Sequence, residues 1–208
     1  MKFIKYYSLE IYTFITLLLI TLSAIFVIPD ITRKIILAYM LIFVLHEWEE
    51  GHYPGGFIDL ITGLIGGGAD FPIEVKKGSR FYTGIYLFVL TLIPYFAHTH
   101  TWLVLPAAFL GIWEGIIHVL GIKFFQLKKP YTPGMITAEC ELILSVYVCW
   151  YLAHNGLAVW YHYLIGVALM VFGFMCMQRA LVHSVGRRYR DLPKMAKQNF
   201  QRLKANKA

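Results

Sequence analysis

The chain has 208 residues, 58% of them hydrophobic and 15% charged, with a formal charge of +7 and a mean hydropathy of +0.60. Soluble domains carry about 25% charged residues, so this composition excludes an ordinary soluble domain and indicates a membrane protein. The positive charge is confined to short loops and the C-terminal stretch, where topology and anionic lipid account for it and a nucleic-acid partner is not needed.

The first apolar span is expected over 9–27, ended by Pro29 and Asp30, since Pro disfavours helix before it and Asp caps the next helix. The second runs over 31–50 and finishes in HEWEE, after which Gly51, Pro54, Gly55 and Gly56 stop it. The run 57–65 is apolar but too short to cross, so it reads as a re-entrant or interfacial segment leading into Gly66, Gly67 and Gly68. Further spans are expected over 81–96, 102–125, 136–154 and 157–177, with QLKKPYTPG joining the fourth to the fifth and Thr137 as the default cap of the fifth. Cys140, Cys149 and Cys176 show no CxxC spacing and read as small packing residues.

The expected fold class is therefore all-α: a polytopic membrane helical bundle of six transmembrane helices over 1–180, followed by a basic cytoplasmic tail over 181–208. Six spans put both termini on one side of the cell membrane. Seventeen Lys and Arg residues, nine of them from Gln178 onward, then share that side, against Arg33 and Lys34 opposite, so the positive-inside rule makes it cytoplasmic. In the tail, Tyr189, Leu192, Met195, Phe200 and Leu203 alternate with cations in a pattern suited to an anionic lipid surface.

Ionisable groups are costly in hydrocarbon unless they pair, bind something or line a polar cavity. His46 and Glu50 on the second span are four residues apart, as are Glu114 and His118 on the fourth, and residues so spaced share a helix face. The assigned orientation brings both pairs, and Glu139 and Glu141 of the fifth span, to one depth in the cytoplasmic half. Glu139 and Glu141 cannot face the same way; Glu139 is favoured for the site and Glu141 for a supporting place. Glu47 should point away from His46 and Glu50, whereas Glu49 remains a candidate ligand or base. Asp59, Asp70, Glu74 and His52 lie near enough in sequence to serve as outer groups, while His98, His100, His154 and His162 belong to the opposite surface.

Imidazole with carboxylate suits Zn or Fe, and also Mn. The expected metal ligands are His46, Glu49, Glu50, Glu114, His118 and Glu139, with Glu49, Glu50 and Glu114 as candidate catalytic groups. The Glu-x-x-His repeat of di-iron bundles and the HExxH zincin motif are both missing.

HEWEE, His46 to Glu50, resembles the signature of the HXXEE family of small integral membrane proteins, with the motif letters on His46, Glu49 and Glu50. The WEGIIH stretch, Trp113 to His118, resembles a further polar stretch of such proteins. The resemblance implies a helical membrane protein and supplies no catalytic mechanism. From the residues themselves, the expected function is a metal-dependent membrane enzyme acting on a membrane lipid or other hydrophobic small molecule, most simply by hydrolysis with metal-activated water. A metal-free acid–base isomerase, an iron-dependent oxidoreductase and a proton- or cation-coupled transporter are the alternatives, and homo-oligomerisation is compatible with all of them.

Overall fold

A computed structural model of the protein describes residues 2–66, 73–184, 186–194, 197, 198 and 201. Gly67, Gly68, Asp70, Met195, Phe200 and Leu203 lie outside the described residues, as does the side chain of Glu74. The described residues form eight α-helices and two short 3-10 turns: α1 (Lys2–Tyr6), α2 (Ser8–Phe26), α3 (Ile31–Gly51), α4 (Phe57–Gly66), α5 (Ile73–Phe96), a turn at Thr101–Val104, α6 (Leu105–Phe124), α7 (Met135–His154), α8 (Trp160–Ser184) and a turn at Tyr189–Asp191.

Four of these segments are long and apolar enough to cross a membrane: Ser8–Phe26, Thr101–Phe124, Met135–His154 and Trp160–Ser184. That makes the chain a multi-pass membrane bundle, but it does not give the expected count of six. The helices α3 and α5, at 21 and 24 residues, have the length. Charges near their ends, Arg33, Lys34, Glu47, Glu49 and Glu50 on α3 and Lys76, Lys77 and Arg80 on α5, dilute their apolar character. Leu164, Phe172 and Trp160 of α8 and Ile143 and Trp150 of α7 are exposed, as side chains facing lipid are.

Five helices close a ring. Going round it, α3 packs on α5, α5 on α8, α8 on α6, α6 on α7, and α7 returns to α3, while α2 lies outside against α3 and α5. The tightest seam joins α6 to α7, because Gly111 and Gly115 present no side chain. A Cβ at Gly115 would stand 2.7 Å from Leu142 Cβ, and one at Gly111 would collide with Ser145 Oγ. Hydrogen bonds cross the other seams. The Tyr39 hydroxyl lies 2.9 Å from Ser145 Oγ, Tyr86 donates to the Met170 carbonyl at 2.9 Å, and Trp48 Nε1 donates to Thr13 Oγ1 at 2.8 Å. Interhelical bonds of this kind contribute about 0.6–2 kcal/mol each in a bilayer.

One expectation about packing is corrected. Cys140 and Cys176 are exposed on the outside of the bundle and only Cys149 is partly buried, because α7 and α8 turn other residues inward. Within the stretch expected as the tail, Arg187 and Leu192 line the same cavity as the ring helices.

Candidate metal centre

The ring surrounds a cavity of about 310 Å³, lined from all five of its helices and also by Phe57, Ile58, Ile61 and Thr62 of α4. His46 and Glu50 on its wall converge with His118, which is fully buried beside them and is not itself a lining residue. Glu50 Oε1 lies 3.5 Å from His46 Nε2 and 3.3 Å from His118 Nε2, and the three ligand atoms all fall within 4.8 Å of one another. Tetrahedral ligands on bonds of about 2.0–2.1 Å stand about 3.3 Å apart, so this spacing suits one small divalent cation.

The hydrogen bonds behind the rings fix which nitrogens face inward. His46 Nδ1 lies 3.1 Å from the Gly134 carbonyl, which can only accept, so Nδ1 carries the hydrogen. His118 Nδ1 lies 3.0 Å from Thr132 Oγ1, and that hydroxyl already donates to the His118 carbonyl at 3.1 Å. It must therefore accept from Nδ1–H. A protonated ring would donate Nε2–H to Glu50 as an ion pair, whereas neutral imidazoles held in this way turn two bare Nε2 lone pairs toward its carboxylate oxygen. Three acceptors cannot satisfy one another, and a buried unmet acceptor costs about 1–3 kcal/mol. His118 is fully buried and its Nε2 has no hydrogen-bond partner among the described residues. A cation between the three resolves the conflict, so the residues present fit a metal.

Gly134 makes the approach feasible. Its φ of +92° is left-handed, and a Cβ there would lie 2.6 Å from Glu50 Cγ, 2.7 Å from His118 Cε1 and 3.0 Å from His46 Cε1. Phe57 stacks on the His118 ring at a centroid distance of 4.9 Å, covering the centre from the α4 side.

The other expected site residues divide. Glu114 lines the cavity, with Oε2 3.8 Å from His118 Nε2, close to the triad but outside it. Glu49 is turned away. Its carboxylate accepts from Tyr131 Oη at 2.7 Å, Ile136 N at 3.2 Å, Thr137 N at 2.9 Å and Thr137 Oγ1 at 2.6 Å. It caps the start of α7 from another helix, which satisfies amides that α7 cannot satisfy itself. Thr137, the expected cap, instead links Glu49 to His46, its Oγ1 lying 3.0 Å from His46 Nδ1. Burial and the Glu49 carboxylate push the Tyr131 hydroxyl above its ordinary pKa, so it stays a donor.

On α7 it is Glu141 that lines the cavity and Glu139 that does not. Glu141 is fully buried, shares the inward stripe of Ala138, Ser145 and Val148, and has no hydrogen-bond partner for either carboxyl oxygen among the described residues. Glu47, expected to point away, is buried and also faces the cavity. Outside the centre, Asp59 pairs with Lys76, and His52 Nδ1 accepts from Arg80 at 3.1 Å. At the far surface His98 pairs with Asp30 at 2.7 Å, while His154 and His162 stack on Trp150 and Trp102.

A buried two-histidine, one-glutamate set, in a bundle with four apolar helices of membrane-spanning length, is consistent with a metal-binding membrane protein. No family model matches the chain, and neither a curated protein nor a solved structure matches it.

Proposed function

We propose that the protein is a six-span membrane enzyme, with both termini cytoplasmic, that holds zinc, iron or manganese on His46, Glu50 and His118 and hydrolyses an ester or amide in a lipid-like substrate. Membership of the HXXEE family belongs to the same proposal and rests on the His46, Glu49 and Glu50 motif. The observation that carries the reading is the convergence of two imidazole Nε2 atoms on Glu50, at the wall of a cavity large enough for a small molecule. Two histidines with one glutamate are also the donor set of catalytic zinc sites that keep a position open for water and substrate. A divalent ion there supplies Lewis acidity, which makes water nucleophilic near neutral pH.

The chain's own groups would do the rest. Glu114, beside the triad and facing the cavity, takes the proton as water adds to the acyl carbon and returns it to the leaving oxygen or nitrogen as that bond breaks. Glu141, on the same wall and with no hydrogen-bond partner among the described residues, meets a polar atom of the substrate. Thr132 and the Gly134 carbonyl hold the two imidazoles in the required tautomer. Phe57 and the α4 residues around it exclude bulk water.

Elemental analysis of tag-free protein, purified in uncharged detergent, tests the reading. About one equivalent of a divalent metal should accompany the native chain and be lost in Glu50→Gln and His118→Ala. Hydrolysis of long-chain acyl esters should fall with it and return when chelated native protein is reloaded. A native protein that folds and takes up no metal rejects the proposal.

A further inference from the structure

The cavity is graded in charge along its length. Lys76 and Arg80, one turn apart on α5, and Arg187, just beyond α8, line its outer end. The Arg80 guanidinium lies against Gly51, the last residue of α3, in space that any side chain at that position would fill. Its Nη1 donates to His52, and Lys76 shares Asp59 of α4, so two of the three cations are fixed in place by neighbours. Further in along α3, α6 and α7 come the carboxyl groups of Glu50, Glu47, Glu114 and Glu141. Beyond these the lining is apolar, with Phe43, Leu87, Leu110 and Phe174. From Gly51 to Phe43 is about 12 Å along a helix, and from Arg80 to Leu87 about 10 Å.

We infer that the cavity binds a single-tailed amphiphile with an anionic headgroup, phosphate or carboxylate, placed with the headgroup at Arg80 and Arg187 and the tail toward Phe43 and Leu87. This rests on taking the cavity as the substrate site of the proposed enzyme. The carboxyl groups of the middle zone keep a negative headgroup out at the rim, and the cations there give it charge-assisted partners. A linkage between headgroup and tail then lies beside Glu50. At about 310 Å³ the space is at the lower end of the range for small-molecule sites, about 300–1,000 Å³, which favours one chain over two.

Binding to the full-length protein, with its metal content measured, is followed in uncharged detergent with four probes: dodecyl phosphate, dodecanoate, dodecyltrimethylammonium and inorganic phosphate. The two anionic chains should bind, the cationic chain at least about tenfold more weakly, and Arg80→Gln and Arg187→Gln should each cost the anionic chains about tenfold. Because Arg187 is exposed, its variant decides if Arg80→Gln fails to fold. Equal binding of the cationic chain, or no effect of Arg187→Gln, overturns the inference. Inorganic phosphate binding as tightly as dodecyl phosphate overturns the tail and makes free phosphate the ligand. The two proposals fail differently. Metal-free protein that still selects anionic chains sinks the metal enzyme alone, and metal-loaded protein that ignores headgroup charge sinks this inference alone.

Discussion

Replacing Gly134 by alanine tests the centre with a single methyl group. At 2.6 Å from Glu50 Cγ the new carbon stands about 0.8 Å inside the 3.4 Å of ordinary contact, and it crowds His118 and His46 by about 0.7 and 0.4 Å. Adding a side chain at φ +92° costs about 1–2 kcal/mol, and forcing a methyl into packed surroundings about 1–3 kcal/mol more. The expected loss of stability is therefore about 2–5 kcal/mol. The effect on metal should be larger, because all three ligands are pushed outward by more than the roughly 0.2 Å a metal site tolerates. Gly156→Ala is the control: its φ is +63°, and nothing lies within 4 Å of the position a Cβ would take. Detergent-solubilised variants are compared by thermal unfolding and by metal content after gel filtration. Gly156→Ala should keep its metal and lose only the backbone share of stability, whereas Gly134→Ala should lose the metal. A Gly134→Ala protein that retains full metal and unfolds with Gly156→Ala would refute the placement of the three ligands around this residue.

Two further outcomes separate scaffold from site. Glu49→Gln keeps the side-chain shape but removes the charge that accepts two amides and two hydroxyls, so stability should fall by about 1–3 kcal/mol while metal content is unchanged; loss of metal at unchanged stability would make Glu49 a ligand after all. Asp30 lies between α2 and α3, where burial would raise its pKa but the Arg33 amide, His98 and the Arg33 guanidinium together hold it below the ordinary value. A depressed carboxylate contributes stability that is present above the unfolded pKa and is lost as pH falls through the folded one. Asp30→Ala should therefore cost about 0.5–2 kcal/mol at neutral pH, as loss of an N-cap does, with the difference shrinking below about pH 4; a difference in thermal unfolding that is constant with pH would contradict this.

Much of the centre was legible in the sequence because it depends on local spacing. His46 with Glu50 and Glu114 with His118 are set one turn apart by the helix itself, and charge in apolar runs marks them as unusual. What the sequence hid was helix phase. In a soluble helix the polar face points outward, but α7 meets lipid with Ile143, Val146 and Trp150, and its hydropathy therefore does not distinguish inside from outside. Glu139 was favoured accordingly, whereas it is Glu141 that lines the cavity. A finer signal was present, since Ala138, Glu141 and Ser145 repeat at helical spacing as a stripe of small and polar residues opposite Gly111 and Gly115. The capping by Glu49 had no local sign at all. It joins residues almost ninety positions apart and exists only once α3 and α7 have met. The six-span count rested on length and loop charge, while α3 and α5 give up apolar character to carry the residues that the cavity uses.

The six residues from Thr132 to Thr137 contact both imidazoles and the Glu49 carboxylate, yet they contribute none of the three converging ligands. All three ligands have already been polymerised when synthesis reaches that stretch. A nascent chain ending at α6 thus carries His46, Glu50 and His118 without the braces that orient them. On the proposed reading, capture of an ion would wait until α7 docks, which places the timing of maturation in the connection rather than in the ligands.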